Sequence, residues 1–184
     1  MRRVPYSVGA TPDGFPVERV HFRPASAADE PVFLAAVERS RSLHHPWVQA
    51  PGTPETFREY VAKRQSPRAA AFFLWVEEPR GLVGVVNLDE IVHNAFRSAY
   101  LGYYAFVPYA GRGLMKAGLA QVITYAFSTL KLHRLEANIQ PANQPSKGLV
   151  KRLGFRREGF SPRYLKINGR WRDHERWAIL SEDW

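Results

Sequence analysis

Leu101-Gly102-Tyr103-Tyr104-Ala105-Phe106 is an aromatic-rich, strand-like run that breaks at Pro108 into Tyr109-Ala110-Gly111-Arg112-Gly113, and a helical pattern begins at about Leu114. A strand feeding a glycine turn and then a helix N-terminus is a ready anion site. Unpaired backbone N–H groups and the positive end of the helix dipole converge there. The familiar phosphate motifs do not fit the spacing. A P-loop requires Gly-Lys-Ser/Thr, which is absent, and the dinucleotide fingerprint requires a third glycine where Lys116 stands. What remains is a short Gly-Arg-Gly turn, either a phosphate cradle or only a tight strand-to-helix connection.

Downstream, Met115, Leu119, Val122, Ile123, Ala126, Phe127 and Leu130 recur at helical spacing, so this helix lays one face on a sheet. A strand follows near His133 to Ile139, then Pro141-Ala142-Asn143-Gln144-Pro145-Ser146 and a short helix ending in Leu153-Gly154-Phe155. Upstream, Val20-His21-Phe22-Arg23 alternates like a strand. Ser26 caps a helix to about Ser40 with Asp29 near its start, and Thr53-Pro54 opens a second through about Arg64. The loop between them holds Ser42-Leu43-His44-His45-Pro46-Trp47. Ala69 to Glu77, Leu82 to Glu90 and Arg97 to Phe106 read as a meander, with Pro79-Arg80-Gly81 as its first turn. Phe155 starts another strand, and Asn168-Gly169 marks a hairpin because both positions tolerate positive φ.

Composition bounds the problem. With 184 residues, 45% hydrophobic and 23% charged, the chain is read as one domain over residues 1–184 around a single sizeable core. No apolar run is long enough to span a bilayer, and Met1-Arg2-Arg3 leads into no signal-peptide core, so a cytoplasmic location is expected. The absence of cysteine excludes disulfides, thiolate zinc sites and a cysteine nucleophile. Neither is another metal site expected, because adjacent His44 and His45 point apart on an extended chain. The 26 Lys and Arg against 17 Asp and Glu give a formal charge of +9, which attracts acidic partners and says nothing of fold. No zinc-finger, helix-turn-helix or RNP signature marks a dedicated nucleic-acid module. The chain is expected as a monomer or homodimer.

These residues resemble the GNAT superfamily of N-acetyltransferases. Pro108 to Gly113 is similar to the family's Gln/Arg-x-x-Gly-x-Gly/Ala loop except at its first position, and Asn143-x-x-Ser146 with Leu153-Gly154-Phe155 is similar to its second cofactor segment. The likeness narrows to the RimJ/RimL type, the N-terminal acetyltransferases of ribosomal proteins. It does so through His133-Arg134-Leu135-Glu136-Ala137, Gly154-Phe155-Arg156-Arg157-Glu158-Gly159 and Tyr164-Leu165-Lys166-Ile167-Asn168-Gly169-Arg170-Trp171-x-Asp173-His174. It covers about residues 18 to 180. The element order β-α-α-β-β-β-α-β-α-β-β matches that fold: an α/β (α+β) structure with a mixed, centrally splayed sheet and helices on both faces.

The resemblance implies transfer of an acetyl group from acetyl-CoA to an amine, with no metal. The diphosphate is then expected on the amides of Gly111, Arg112, Gly113, Leu114 and Met115, with the Arg112 side chain as a charge partner, and Arg152 of the nearby basic cluster is expected among the cofactor ligands. The backbone of Phe106 and Val107 is expected along the pantetheine arm. Asn143 becomes a cofactor ligand and Ser146 a ligand or proton donor to the departing sulfur; without the resemblance they read as a helix cap and a first-turn residue. Glu136 is the first candidate for the base, directly or through water, with a structural ion pair as its plain alternative. An acid that relatives carry before the glycine-aromatic step is replaced here by Tyr100. His44, His45, Trp47, Tyr164 and Asp173 are expected to line the acceptor groove.

The resemblance implies as acceptor the α-amino group of a protein N-terminal Ala or Ser, such as that of a ribosomal protein, with ribosome association of this chain expected; that amine, with a pKa of roughly 7.7–8.0 against about 10.4 for lysine, needs little help to lose its proton. The rival readings are acetylation of a small-molecule amine such as a polyamine or antibiotic, and a non-catalytic acyl-CoA-binding or RNA-associated protein.

Overall fold

The computed structural model describes residues 20–77 and 80–184. Seven strands form one sheet: β1 (Val20–Pro24), β2 (Ala70–Glu77), β3 (Arg80–Val92), β4 (Ser98–Ala105), β5 (Arg134–Ile139), β6 (Arg156–Ile167) and β7 (Arg170–Leu180), in the spatial order β1-β2-β3-β4-β5-β7-β6. Five α-helices accompany them among the described residues: α1 (Glu30–Arg39), α2 (Arg41–His44), α3 (Pro54–Lys63), α4 (Leu114–Ser128) and α5 (Gln144–Arg152). The expected mixed, splayed architecture is present. The Pro79 part of the expected β2–β3 turn, and the residues before Val20, lie outside the described residues.

Local chemistry accounts for the helix starts. Ser26 forms a capping box with Asp29 over a single 3-10 turn, and Pro31 then sits in the first turn of α1. Thr53 and Thr56 make the equivalent box before Pro54 at the head of α3. Helix α2 was not expected. Its four residues are too few to show a period.

Strand β2 is buried on both faces, and its alternation separates two cores. Phe72, Leu74 and Val76 face α4, whereas Ala71, Phe73 and Trp75 meet Phe33 of α1 and Phe57 of α3. Helix α4 presses closely on the first face. A Cβ built on Gly118 would lie 2.5 Å from Leu74 Cδ1, and one on Gly84 would lie 2.7 Å from Met115 Sδ. The N-terminus of α4 is therefore fixed to the sheet by packing of glycine against side chain.

The decisive feature for function is the only parallel pairing among the described residues. Strands β4 and β5 run together just from Ser98–Tyr100 against Arg134–Glu136 and then separate. Beyond that point β4 continues to pair with β3, and β5 with β7, so the sheet opens at its centre. The β6–β7 hairpin closes with Asn168 and Gly169, both at positive φ, as their residue types require. Strand β6 carries register shifts between Arg157 and Gly159 and between Ser161 and Leu165.

Candidate active site

The opening between β4 and β5 leads into a cavity of about 520 Å3. One wall is β4 from Leu101 to Ala105, and the other is β5 from Ala137 to Ile139. Gly111, Gly113, Met115 and Lys116 form one end, and Asn143, Ser146, Leu149 and Arg152 of α5 close the side. Leu43, His44, Trp47 and Val48 also line it, and the hairpin adds Leu165, Ile167 and His174.

The turn into α4 has the form that the sequence implies. Gly111 and Gly113 have φ of +81° and +78°, the left-handed region that side chains disfavour, and Gly113 is the N-cap of α4. A Cβ built at either glycine meets nothing within 4 Å, so the backbone there is open to a ligand. The first intrahelical bond runs from Ala117 N to Gly113 O, at 3.2 Å. The amides before Ala117 therefore have no helical partner of their own. Arg112 is exposed with its guanidinium 5.9 Å from the Tyr109 ring, and Leu114 is buried in the core. Neither side chain lines the cavity, so any role at this turn belongs to their main-chain groups.

On α5, Asn143 Oδ1 accepts from Ser146 N at 3.2 Å, which caps the helix and sets Ser146 in its first turn. Ser146 Oγ lies 2.6 Å from Tyr103 Oη. Burial pushes the Tyr103 hydroxyl well above its ordinary value, so it stays protonated. This hydroxyl pair joins β4 to α5 across the cavity wall; the sequence offered no signal for it, because the partners are 43 residues apart. On the β5 wall, Asn138 Oδ1 is buried without a hydrogen-bond partner.

Four expectations change. Phe106 N already donates to Val83 O at 2.8 Å and Val107 N to Ser40 Oγ at 3.1 Å, so these amides have partners within the chain. The β4 stretch that faces the opening ends at Ala105 instead. His45 is exposed and outside the lining, whereas His44 is buried in it, donating from Nε2 to Ala105 O at 2.9 Å. The four-residue helix α2 turns the first histidine inward. Tyr164 and Asp173 also lie outside the lining: Tyr164 Oη reaches Tyr100 Oη at 3.4 Å, and Asp173 Oδ1 accepts from Arg163 N at 2.7 Å. Glu136 is ion-paired with Arg134 at 3.0 Å, and Arg134 also holds Glu158. Glu136 sits at the last residue pair before the splay and does not line the cavity.

Of the residues singled out in the sequence, Trp47, Gly111, Gly113, Met115, Asn143, Ser146 and Arg152 line the cavity. Two imidazoles are also there, His44 and His174, both with pKa lowered by burial. Among the described residues, no Asp or Glu lines the cavity and no cluster of metal-ligating side chains occurs.

Residues 19–156 match the family described as Acetyltransferase (GNAT) domain. The chain belongs to the GNAT acetyltransferases. Within that family it is 38% identical over 119 residues to the [Ribosomal protein uS5]-alanine N-acetyltransferase of Escherichia coli; the match spans 64% of this chain and 61% of that protein. It is 26% identical over 149 residues to a spermidine N(1)-acetyltransferase of Vibrio cholerae, covering 80% of this chain and 86% of that one. The solved structure of Mycobacterium smegmatis RimJ in complex with CoA-disulfide superposes with a TM-score of 0.81 at 28% identity, over 89% of this GNAT chain and 82% of the other.

Proposed function

We propose that the chain transfers an acetyl group from acetyl-CoA to the α-amino group of a protein N-terminus, alanine or serine, with a ribosomal protein as the model substrate. The observation that carries this reading is the glycine turn at the head of α4, opening onto a cavity between β4 and β5 that His44, Trp47 and the hairpin also line. The residues fit the cofactor. Two glycines leave their Cβ directions empty, helix amides lack partners, and Lys116 and Arg152 place positive charge beside them. That the similar Mycobacterium smegmatis RimJ is in complex with CoA-disulfide supports CoA as the cofactor.

In this arrangement the amides from Gly111 to Met115 bind the diphosphate, and acetyl-CoA supplies the thioester that the amine attacks. Asn143 orients α5, and Ser146 bonds the cofactor near the sulfur with Tyr103 behind it. A thiol of pKa about 8.5 is already a fair leaving group, so binding outweighs acid assistance at Ser146.

The spermidine-acetylating relative keeps a polyamine as the second reading. The charge of the cavity favours the first. A polyamine carries several positive charges and calls for carboxylates, yet the charged side chains in the lining are Lys116 and Arg152. A peptide N-terminus presents one amine of roughly pKa 7.7–8.0 on a neutral backbone.

Thiol release from acetyl-CoA, measured with a panel of peptides and free polyamines, tests this. Release with Ala- or Ser-starting peptides and little with spermidine is expected. Release with spermidine alone reverses the choice of acceptor, and no release with any amine removes the transferase reading.

A further inference from the structure

Amide formation removes a proton from the attacking nitrogen, and among the described residues the cavity presents no carboxylate to receive it. Resting on the acetyltransferase reading above, we propose that His174 is the catalytic base, accepting the amine proton at Nε2. The site combines a locked tautomer, a cavity-lining position and an unpartnered acceptor beside it.

The tautomer follows from one hydrogen bond. His174 Nδ1 lies 2.9 Å from Arg172 O, and a carbonyl oxygen only accepts, so Nδ1 carries the hydrogen. In the neutral ring the lone pair is then at Nε2. The imidazole is buried, with the Tyr164 ring 5.9 Å away from β6, and burial lowers its pKa, which keeps it neutral at pH 7. The charged groups near it are Arg172 and Asp173 on its own strand, with Lys116 and Arg152 elsewhere in the cavity lining.

Register brings a second polar group to it. Asn138 of β5 pairs with Arg176 of β7, and residues two apart on a strand share a face. His174 and Asn138 are thus diagonal neighbours on one face, at a spacing of roughly 7–8 Å. A nitrogen between them can donate one hydrogen to the orphaned Asn138 Oδ1 and another to His174 Nε2. Two rivals remain: Glu136 is ion-paired with Arg134, and His44, though its Nδ1 keeps a lone pair, is tied to β4, the wall opposite Asn138. His44 gives its Nε2 hydrogen to Ala105 O and packs against Tyr104 and Phe106, tying the 43–48 loop to β4.

The step balances as follows. The amine nitrogen bonds to the acetyl carbon, its surplus proton passes to His174 Nε2, and the carbon–sulfur bond breaks with both electrons leaving on sulfur. His174 then returns the proton to solvent.

The test is the pH dependence of kcat/KM for an Ala-starting peptide in wild type, His174→Gln and His44→Gln. The peptide amine gives one acid limb near 7.7–8.0, and His174 adds a second below about 6.5, so the wild-type logarithmic slope steepens from one to two at low pH. In His174→Gln the rate is expected to fall by about 10²-fold or more and the slope to stay at one. Exogenous imidazole is expected to restore turnover in His174→Ala, a response that a purely structural role does not give. Loss of the second limb in His44→Gln but not in His174→Gln, or a His174→Gln enzyme with wild-type rates, overturns the assignment. If wild type itself releases no thiol with any amine, the acetyl-transfer reading falls and the base with it; wild-type turnover without a His174 effect defeats the base alone.

Discussion

Replacing Gly113 by alanine separates a phosphate cradle from a tight connection, because the two readings agree on stability and differ on binding. At φ +78° a Cβ costs roughly 1–2 kcal/mol. Reduced freedom of the unfolded chain offsets about 0.4–1 kcal/mol of that. The net loss is then about 0–1.6 kcal/mol, since the new methyl group meets no protein atom within 4 Å. For a chain of this size that corresponds to a fall in Tm of at most about 6 °C. If a diphosphate rests on this turn, the methyl group projects toward it and loosens at least one charge-assisted hydrogen bond, worth about 1.5–3 kcal/mol. Affinity for CoA should then weaken by about 10- to 100-fold. Thermal unfolding gives the first quantity and calorimetric titration with CoA the second. A variant that loses stability in this range yet binds CoA like wild type refutes the cradle and leaves only a strand-to-helix connection.

Other perturbations reach different parts of the molecule. Ser146→Ala removes the 2.6 Å partner of the Tyr103 hydroxyl, which keeps its 3.3 Å bond to the Ser146 carbonyl, so a stability loss of about 0.5–1.5 kcal/mol is expected by urea titration, with only a modest fall in kcat. Gly118→Val drives a branched side chain into Leu74, and overpacking of about 1–3 kcal/mol or more should lower Tm by several degrees while the cavity residues stay in place. The hydrogen bond from Arg134 holds the Glu158 carboxyl below its ordinary value. Its contribution is therefore present above the unfolded value, near 4.3, and is lost as pH falls through the folded one. Glu158→Gln should accordingly show a smaller drop in Tm than wild type between pH 6 and about pH 3.5, read by calorimetry at low salt.

The elements bracketing the site were legible because each carries a strong local signal. The glycine turn, the periodic face of α4 and the Asn168-Gly169 hairpin all follow from properties of neighbouring residues. What escaped depends on alignment between distant segments. The sequence pointed to Tyr164 and Asp173 on the hairpin, whereas Leu165, Ile167 and His174 line the cavity. The irregularity between Ser161 and Leu165 re-aims these side chains, and a shift of one residue exchanges faces. His45 missed for a related reason, since an extended loop was assumed where a single helical turn intervenes. Glu136 kept its expected place beside the splay, but its ion pair with Arg134 is a tertiary choice that residue type alone cannot reveal.

Strand β6 forms one border of the sheet, twelve residues long, and such a border invites a second chain to add on. Its two irregularities, the ring of Pro162 and the positive charge of Arg156, Arg157, Arg163 and Lys166 all oppose that addition. Crowded molecules of this protein should therefore repel one another along this margin, and fibrils joined through it should appear only once salt screens those charges.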